Sequence, residues 1–345
     1  MFLFNAEAAE VCVSTAAELQ SALATAGNNA ENDVIKVMQG TYTMTASIIF
    51  SYTSGEAFSI SVLGGYAANC TQRQLNPTNT ILDGNNTFRV INLNGIATGG
   101  SQHLQGFTIR NGFFSINGQR GAGANIGGSA GFKGDVTVDF NIFEFNVNPT
   151  SFSGGLSVSA DGGNCNITNN LLYNNSALNY GAGSILCNGT NSHLVNNTIV
   201  SNTITLDNGN THNQGGLSAT GAADLYAYNN ILWGNTKTDF NYGSTTNTLV
   251  NNDIEDQTGT LGIDSSGNLS VNPEFVSASN FRLEASSPLI NQGKNTPPGG
   301  LPATDLDGKT RIAGETVDMG AYEYYPDDGC YAIKSSNSAV VVFCL

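Results

Sequence analysis

The sequence predicts an all-β solenoid, with short strands wound into stacked coils rather than packed around one globular core. The first observation behind this is a recurring phrase, an apolar pair followed closely by asparagine. It reads Phe107-Thr-Ile-Arg-Asn111, Asn141-Ile-Phe-Glu-Phe-Asn146, Asn170-Leu-Leu-Tyr-Asn-Asn175, Asn197-Thr-Ile-Val-Ser-Asn202 and Asn230-Ile-Leu-Trp-Gly-Asn235, then more weakly Asn252-Asp-Ile-Glu-Asp256. Repetition on this scale marks units that bury their apolar faces only by stacking on one another. The second observation is spacing: the leading asparagines lie about 29, 27, 33 and 22 residues apart. Helical repeats keep a fixed length because their helices must pack, whereas strands joined by loops tolerate such variation. The third is composition. The 345 residues include 41 Gly and 45 Asn, the residues that most readily enter left-handed turns.

Charge narrows the partners. Only 11% of residues are charged, and 27 acidic against 12 basic side chains give a net charge of −15. Such a surface repels phosphate backbones and anionic membranes, so nucleic-acid binding is not expected. Neutral sugars and divalent cations suit it better. No apolar run approaches the ~18 residues of a membrane span.

Taken in order, residues 1–10 read as the remnant of a secretory signal, with an A-x-A-like site near Ala9. Residues 11–33 hold an N-terminal cap helix, expected over Thr15–Ala26. Ser14-Thr15-Ala-Ala-Glu18 is a capping-box pattern, and Leu19, Ala22 and Leu23 form one apolar face before Gly27. A solenoid needs such a lid over its first coil. Strands of three to six residues follow from Val34. Stacking the repeats suggests an interior aliphatic column of Ile142, Leu171, Ile199 and Ile231, with the asparagines five residues on bonding to one another as a ladder.

Two groups of motifs resemble known families. Gly40-Thr-Tyr42 and Leu104-Gln-Gly-Phe-Thr-Ile-Arg-Asn111 resemble recurrent phrases of pectin-lyase-like proteins. Asn272-Pro-Glu-Phe275, Phe281-Arg-Leu283, Ser287-Pro-Leu-Ile-Asn-Gln-Gly293, Asp305-Leu-Asp-Gly-Lys-Thr-Arg311 and Asp318-Met-Gly-Ala-Tyr-Glu323 are similar to the closing module of secreted bacterial proteins grouped as the choice-of-anchor Q domain. The resemblance implies a single right-handed parallel β-helix over residues 34–323, with 272–323 as its closing module. It also implies a secreted or cell-surface setting. It assigns no catalytic residues.

Six cysteines fall into three pairs, Cys12 with Cys70, Cys165 with Cys187, and Cys330 with Cys344. The last pair would close a β-hairpin within 324–345. Disulfides imply an oxidising compartment; six buried thiols are the alternative. The uncharged Val340–Leu345 run is strongly strand-forming, so it either caps the last coil or pairs with another subunit and propagates a filament.

Chemistry is sparse. Glycoside hydrolysis needs two carboxylates across the scissile bond, and lyase chemistry needs a base with cationic stabilisation. No coherent set of either kind stands out. A divergent enzymatic site would have to lie near Arg110 and Arg120 or near Asp253–Asp256. Asp253, Glu255 and Asp256 are the metal candidates, with calcium as the ion. Asp305 and Asp307 read as turn caps paired with Arg311. Tyr173, Tyr180, Trp233 and Tyr242 are the aromatic candidates for stacking on sugar rings, against the plainer reading of an aromatic stack in the solenoid. The expected function is therefore a non-catalytic structural or adhesive β-helix without a cofactor, contacting an extracellular glycan or surface protein along one face. A polysaccharide lyase or hydrolase, or a filament subunit, is the alternative.

Overall fold

The computed structural model describes residues 8–326 apart from 97, 129–130, 211 and 244–245, together with the backbone of 330–334 and 340–344. Three all-parallel sheets of nine, eight and eight strands form the walls of a β-helix. In a typical coil the chain runs along the first sheet at Cys165–Thr168, the second at Leu171–Tyr173 and the third at Gly183–Cys187, then rejoins the first at Asn191–Val195. The right-handed sense expected of it is that of parallel crossovers generally.

Residues alternate in and out along each strand, and parallel register stacks the inward ones. The lumen of the second sheet is filled by Leu82, Ile109, Phe143, Leu172, Ile199, Leu232 and Ile254. This corrects the interior column read from sequence. Only Ile199 lies inside; Ile142, Leu171 and Ile231 share their register with Thr198 and face outward. An alignment off by one residue moves a strand residue to the opposite face. Those outward residues are nonetheless buried, because another part of the chain covers them.

Asparagine does three different jobs. At the corner entering the second sheet, Asn141, Asn170, Asn197, Asn230, Asn252 and Asn268 form a ladder; the side-chain oxygen of Asn141 accepts from the Phe107 backbone amide, and each later one accepts from the backbone and side-chain amides of the asparagine in the coil before it, at 2.8–3.2 Å. At the corner leaving it, Asn146, Asn175, Asn202 and Asn235 repeat the pattern, which ends on Asp239. The third column, Asn169, Asn196, Asn229 and Asn251, sits in left-handed turns with φ near 55° and points its amides outward.

That third column holds the C-terminal module. The helix does not extend to residue 323 as expected: the last strand pairing of its coil is at Gln257–Thr258, followed by single bridges at Ser266 and Leu269. The chain then turns back along the outside of the second sheet. Asn169 bonds Thr304 and Arg311, Asn196 bonds the carbonyls of Asp318 and Gly320, Asn229 bonds Lys294, and Asn251 bonds Gln292. Phe281, Leu283, Leu289, Leu306, Met319 and Tyr322 bury themselves against Phe140, Ile142, Leu171, Val200 and Ile231. Gly320 (φ +92°) is required here, since a Cβ would lie 2.7 Å from both Ile231 and Thr198. Arg311, 2% exposed, pairs with Glu323 at 3.4 Å. Asp305 and Asp307 do not pair with it: Asp305 caps the turn by accepting from the amides of Asp307 and Lys309, and Asp307 binds Arg282.

The N-terminal helix spans Ala16–Ala26, with Thr15 and Glu18 forming the capping box. Leu19, Leu23 and Ala26 seal the lumen. Ala9 and Glu10, at the end of the expected leader segment, lie in the edge strand of the first sheet, Ala9–Val13, paired with Asp33–Val37. Cys12–Cys70 ties that edge down, and Cys165–Cys187 closes one coil on itself. Cys330–Lys334 and Val340–Cys344 form an antiparallel hairpin whose register sets Cys330 opposite Cys344. The side chains of that pair, and residues 1–7, lie outside the described residues.

Candidate functional site

Register on the outer face of the second sheet aligns Asp83, Arg110, Glu144, Tyr173, Val200 and Trp233 in one column. Where the C-terminal module lies against this column, a groove of about 280 Å³ opens. Arg110, Glu144 and Tyr173 form one side, and Phe281, Arg282 and Tyr322 the other. Its volume stands near the lower end of small-molecule sites, ~300–1,000 Å³.

The polar groups are held in place. Arg110 Nε donates to Asp83 Oδ2 at 2.8 Å. Burial alone would raise the Asp83 pKa, but hydrogen bonds from the Asn85 amide, Arg110 and Asn111 outweigh it and hold the carboxyl below its ordinary value. The Tyr173 hydroxyl donates to Glu144 Oε2. Burial and the neighbouring carboxylate push that hydroxyl up, so it stays a donor through the neutral range. Arg282 forks onto Asp307 and lies 4.5 Å over the Tyr322 ring. Tyr173 packs against Phe281 at 5.0 Å between centroids. The site therefore combines three carboxylates, Asp83, Glu144 and Asp307, with two guanidiniums, a formal charge of −1. Hydroxyl-rich neutral ligands match such a mix of paired donors and acceptors beside aromatic rings, and polyanions do not.

The aromatic candidates are scattered. Tyr173 lines the groove. Trp233, two coils further along its column, packs half-buried against the module. Tyr180 is buried at another corner and bonds His212, and Tyr242 lies inside the lumen beside Phe240. Arg110 and Arg120 do not converge, since Arg120 lies over the Phe152 ring beyond the next corner. Each of the three acidic metal candidates sits in a different setting, with Glu255 close enough to Asp253 for its charge to be felt there. Asp253 is buried and accepts from the Val271 amide, Glu255 accepts from the Gly234 amide, and Asp256 is exposed. Among the described residues no group of three His, Cys, Asp or Glu side chains is arranged to hold a metal.

Sequence reasoning missed Glu144, Phe281 and Arg282. Glu144 was available as a signal, because aligned repeat phrases place it between Arg110 and Tyr173. Arg282 arrives only through the folding back of the module. That same fold-back makes a second groove of about 510 Å³ on the first sheet, lined by Asp139, Asn166, His193 and Gly299–Leu301. There His103 Nε2 lies 2.7 Å from Asp139 Oδ1, and burial holds the His193 pKa below its ordinary value.

No family model and no curated protein matches the chain. One solved structure, described as the crystal structure of pectate lyase Pel9A, aligns over 93% of this chain and 98% of that one. The TM-score is 0.45 and the identity 14%. A likeness of this degree transfers no activity, and the parallel β-helix rests on the strand topology itself. No helix among the described residues is long and apolar enough to cross a membrane.

Proposed function

We propose that this chain is a secreted or surface-displayed, non-catalytic β-helix that binds a neutral glycan in the groove between its second sheet and its C-terminal module. The observation that carries this reading is the arrangement of Arg110, Glu144 and Arg282 around an aromatic wall at near-balanced charge. Planar guanidiniums and carboxylates fixed by their own partners present hydrogen-bonding edges to sugar hydroxyls, and the rings offer an apolar face. Two disulfides support an oxidising, extracellular setting. The segment that resembles the choice-of-anchor Q module acts here as one wall of the site.

Calorimetric titration with neutral and uronate oligosaccharides tests this, with reducing ends and unsaturated products assayed in parallel, with and without calcium. Neutral oligosaccharides are expected to bind uncleaved, and Arg110→Ala or Glu144→Gln to weaken binding about tenfold, the loss of one hydrogen bond to a charged group. Release of new reducing ends or unsaturated uronates would establish the lyase or hydrolase reading instead.

A further inference from the structure

At the corner leaving the second sheet, coil after coil passes through one left-handed residue: Asn111, Phe145, Asn174, Ser201 and Gly234, with φ of 54°, 55°, 52°, 55° and 66°. Asn and Gly accept this conformation readily, and a phenylalanine does so only under strain. Phe140, on the same coil, has φ 54° as well. It is only 5% exposed and packs beneath the C-terminal module, so burial offsets its strain. Phe145 has no such compensation. It is 47% exposed, and its ring contact is edge-on to Tyr173 at 5.7 Å. Of the aromatic residues with positive φ among those described, Phe140 and Tyr180 are buried and Phe145 is not.

A strained, solvent-facing aromatic ring beside a hydrogen-bonding groove has a physical use. The two faces of a pyranose ring differ in polarity, and its C–H face packs on an exposed aromatic ring while its hydroxyls reach polar edges. Phe145 directly follows Glu144 and touches the ring that bonds Glu144. We propose that Phe145 is a stacking platform for a second sugar ring, immediately outside the groove that takes the first. The site would then read a neutral oligosaccharide rather than a monosaccharide. This deepens the glycan reading and rests on it.

The test is calorimetry of the full chain with neutral gluco-, xylo- and galacto-oligosaccharides of one to four units. Wild type, Phe145→Asn, Phe145→Tyr and Glu144→Gln are compared, with Tm measured for each. Phe145→Asn relieves the backbone, so Tm is expected to hold or rise while tetrasaccharide affinity falls about tenfold and monosaccharide affinity is unchanged. Phe145→Tyr should keep the wild-type chain-length dependence. Glu144→Gln should weaken every length, which separates failure of the groove from failure of the platform. Unchanged tetrasaccharide binding in Phe145→Asn overturns the proposal, as does a sharp fall in its Tm, which would make the ring structural. A wild-type dimer that Phe145→Asn converts to monomer also overturns it, since a second copy would then be the occupant. If wild type binds none of these sugars, the glycan reading fails and the platform fails with it.

Discussion

Asp253 shows how one buried carboxylate sets a pH dependence. Its Oδ1 accepts from the Val271 amide at 2.9 Å, and its Oδ2 has no hydrogen-bond partner among the described residues. Burial first, then the nearby Asp239 and Glu255 charges, raise its pKa from 3.8 to about 6. Asp239, at the foot of the second ladder, is likewise raised to about 6 by burial. A carboxyl whose folded pKa lies above its unfolded one stabilises the fold most when both states are protonated, below about pH 4. That contribution is lost as pH rises through 6. Asp253→Asn keeps an oxygen for the Val271 amide and removes the buried charge. It should match wild type near pH 4 and exceed it at pH 8 by up to about 3 kcal/mol, from 1.36 kcal/mol per pKa unit. Urea melts at the two pH values check this, and an Asn variant no more stable at pH 8 refutes it.

At the scale of elements, the two asparagine ladders are what let polar side chains occupy the inner corners of the coil. Asn202 is fully buried; its oxygen accepts from both amides of Asn175, and its NH₂ donates to Leu172, Val200 and Asn235. Asn202→Ala strands donors on one coil and carbonyls on two, each orphan costing ~1–3 kcal/mol. We expect a loss of about 3 kcal/mol or more in chemical denaturation. Asn268 ends the first ladder partly exposed, where water replaces a lost partner. Asn268→Ala should therefore cost less than about 1.5 kcal/mol, near the net worth of a hydrogen bond. Equal losses at the two sites would show that the ladder's burial is not what matters.

Over the whole molecule, the two ends of the helix differ. The N-terminal end is closed by a capped helix and a disulfide-tied strand. At the other end Asn247–Val250 and Asp253–Ile254 are met only by single bridges at Ser266 and Leu269, and no strand pairs beyond Gln257–Thr258 among the described elements, so the edges are left partly open. Leu261 and Ile263 are exposed there at 46% and 100%. Open edges with exposed apolar residues associate. The hairpin of residues 330–344 is expected to cover this end, so deletion of 330–345 should turn a monomeric protein into one whose mass rises with concentration in light scattering. If wild type forms long assemblies and the deletion variant is monomeric, the hairpin is a filament contact and not a cap.

The sequence by itself determined the repeat, the all-β class, the capping helix, the Asn146–Asn235 ladder and two of the cysteine pairs. These depend on local chemistry, such as Thr15 with Glu18, and on residues that recur at the same place in each coil, such as Asn146 and Asn175. Tertiary structure alone decided which apolar residues face inward, because a shift of one residue exchanges the two faces of a strand and both faces of the second sheet are buried. It also decided that residues 272–323 fold back, using outward asparagines that look the same in sequence as the inward ones. The groove exists only because of that return: Arg110, Glu144 and Tyr173 come from stacked coils, and Arg282 crosses to them from more than a hundred residues away. Local pattern carries no information about a contact of that range.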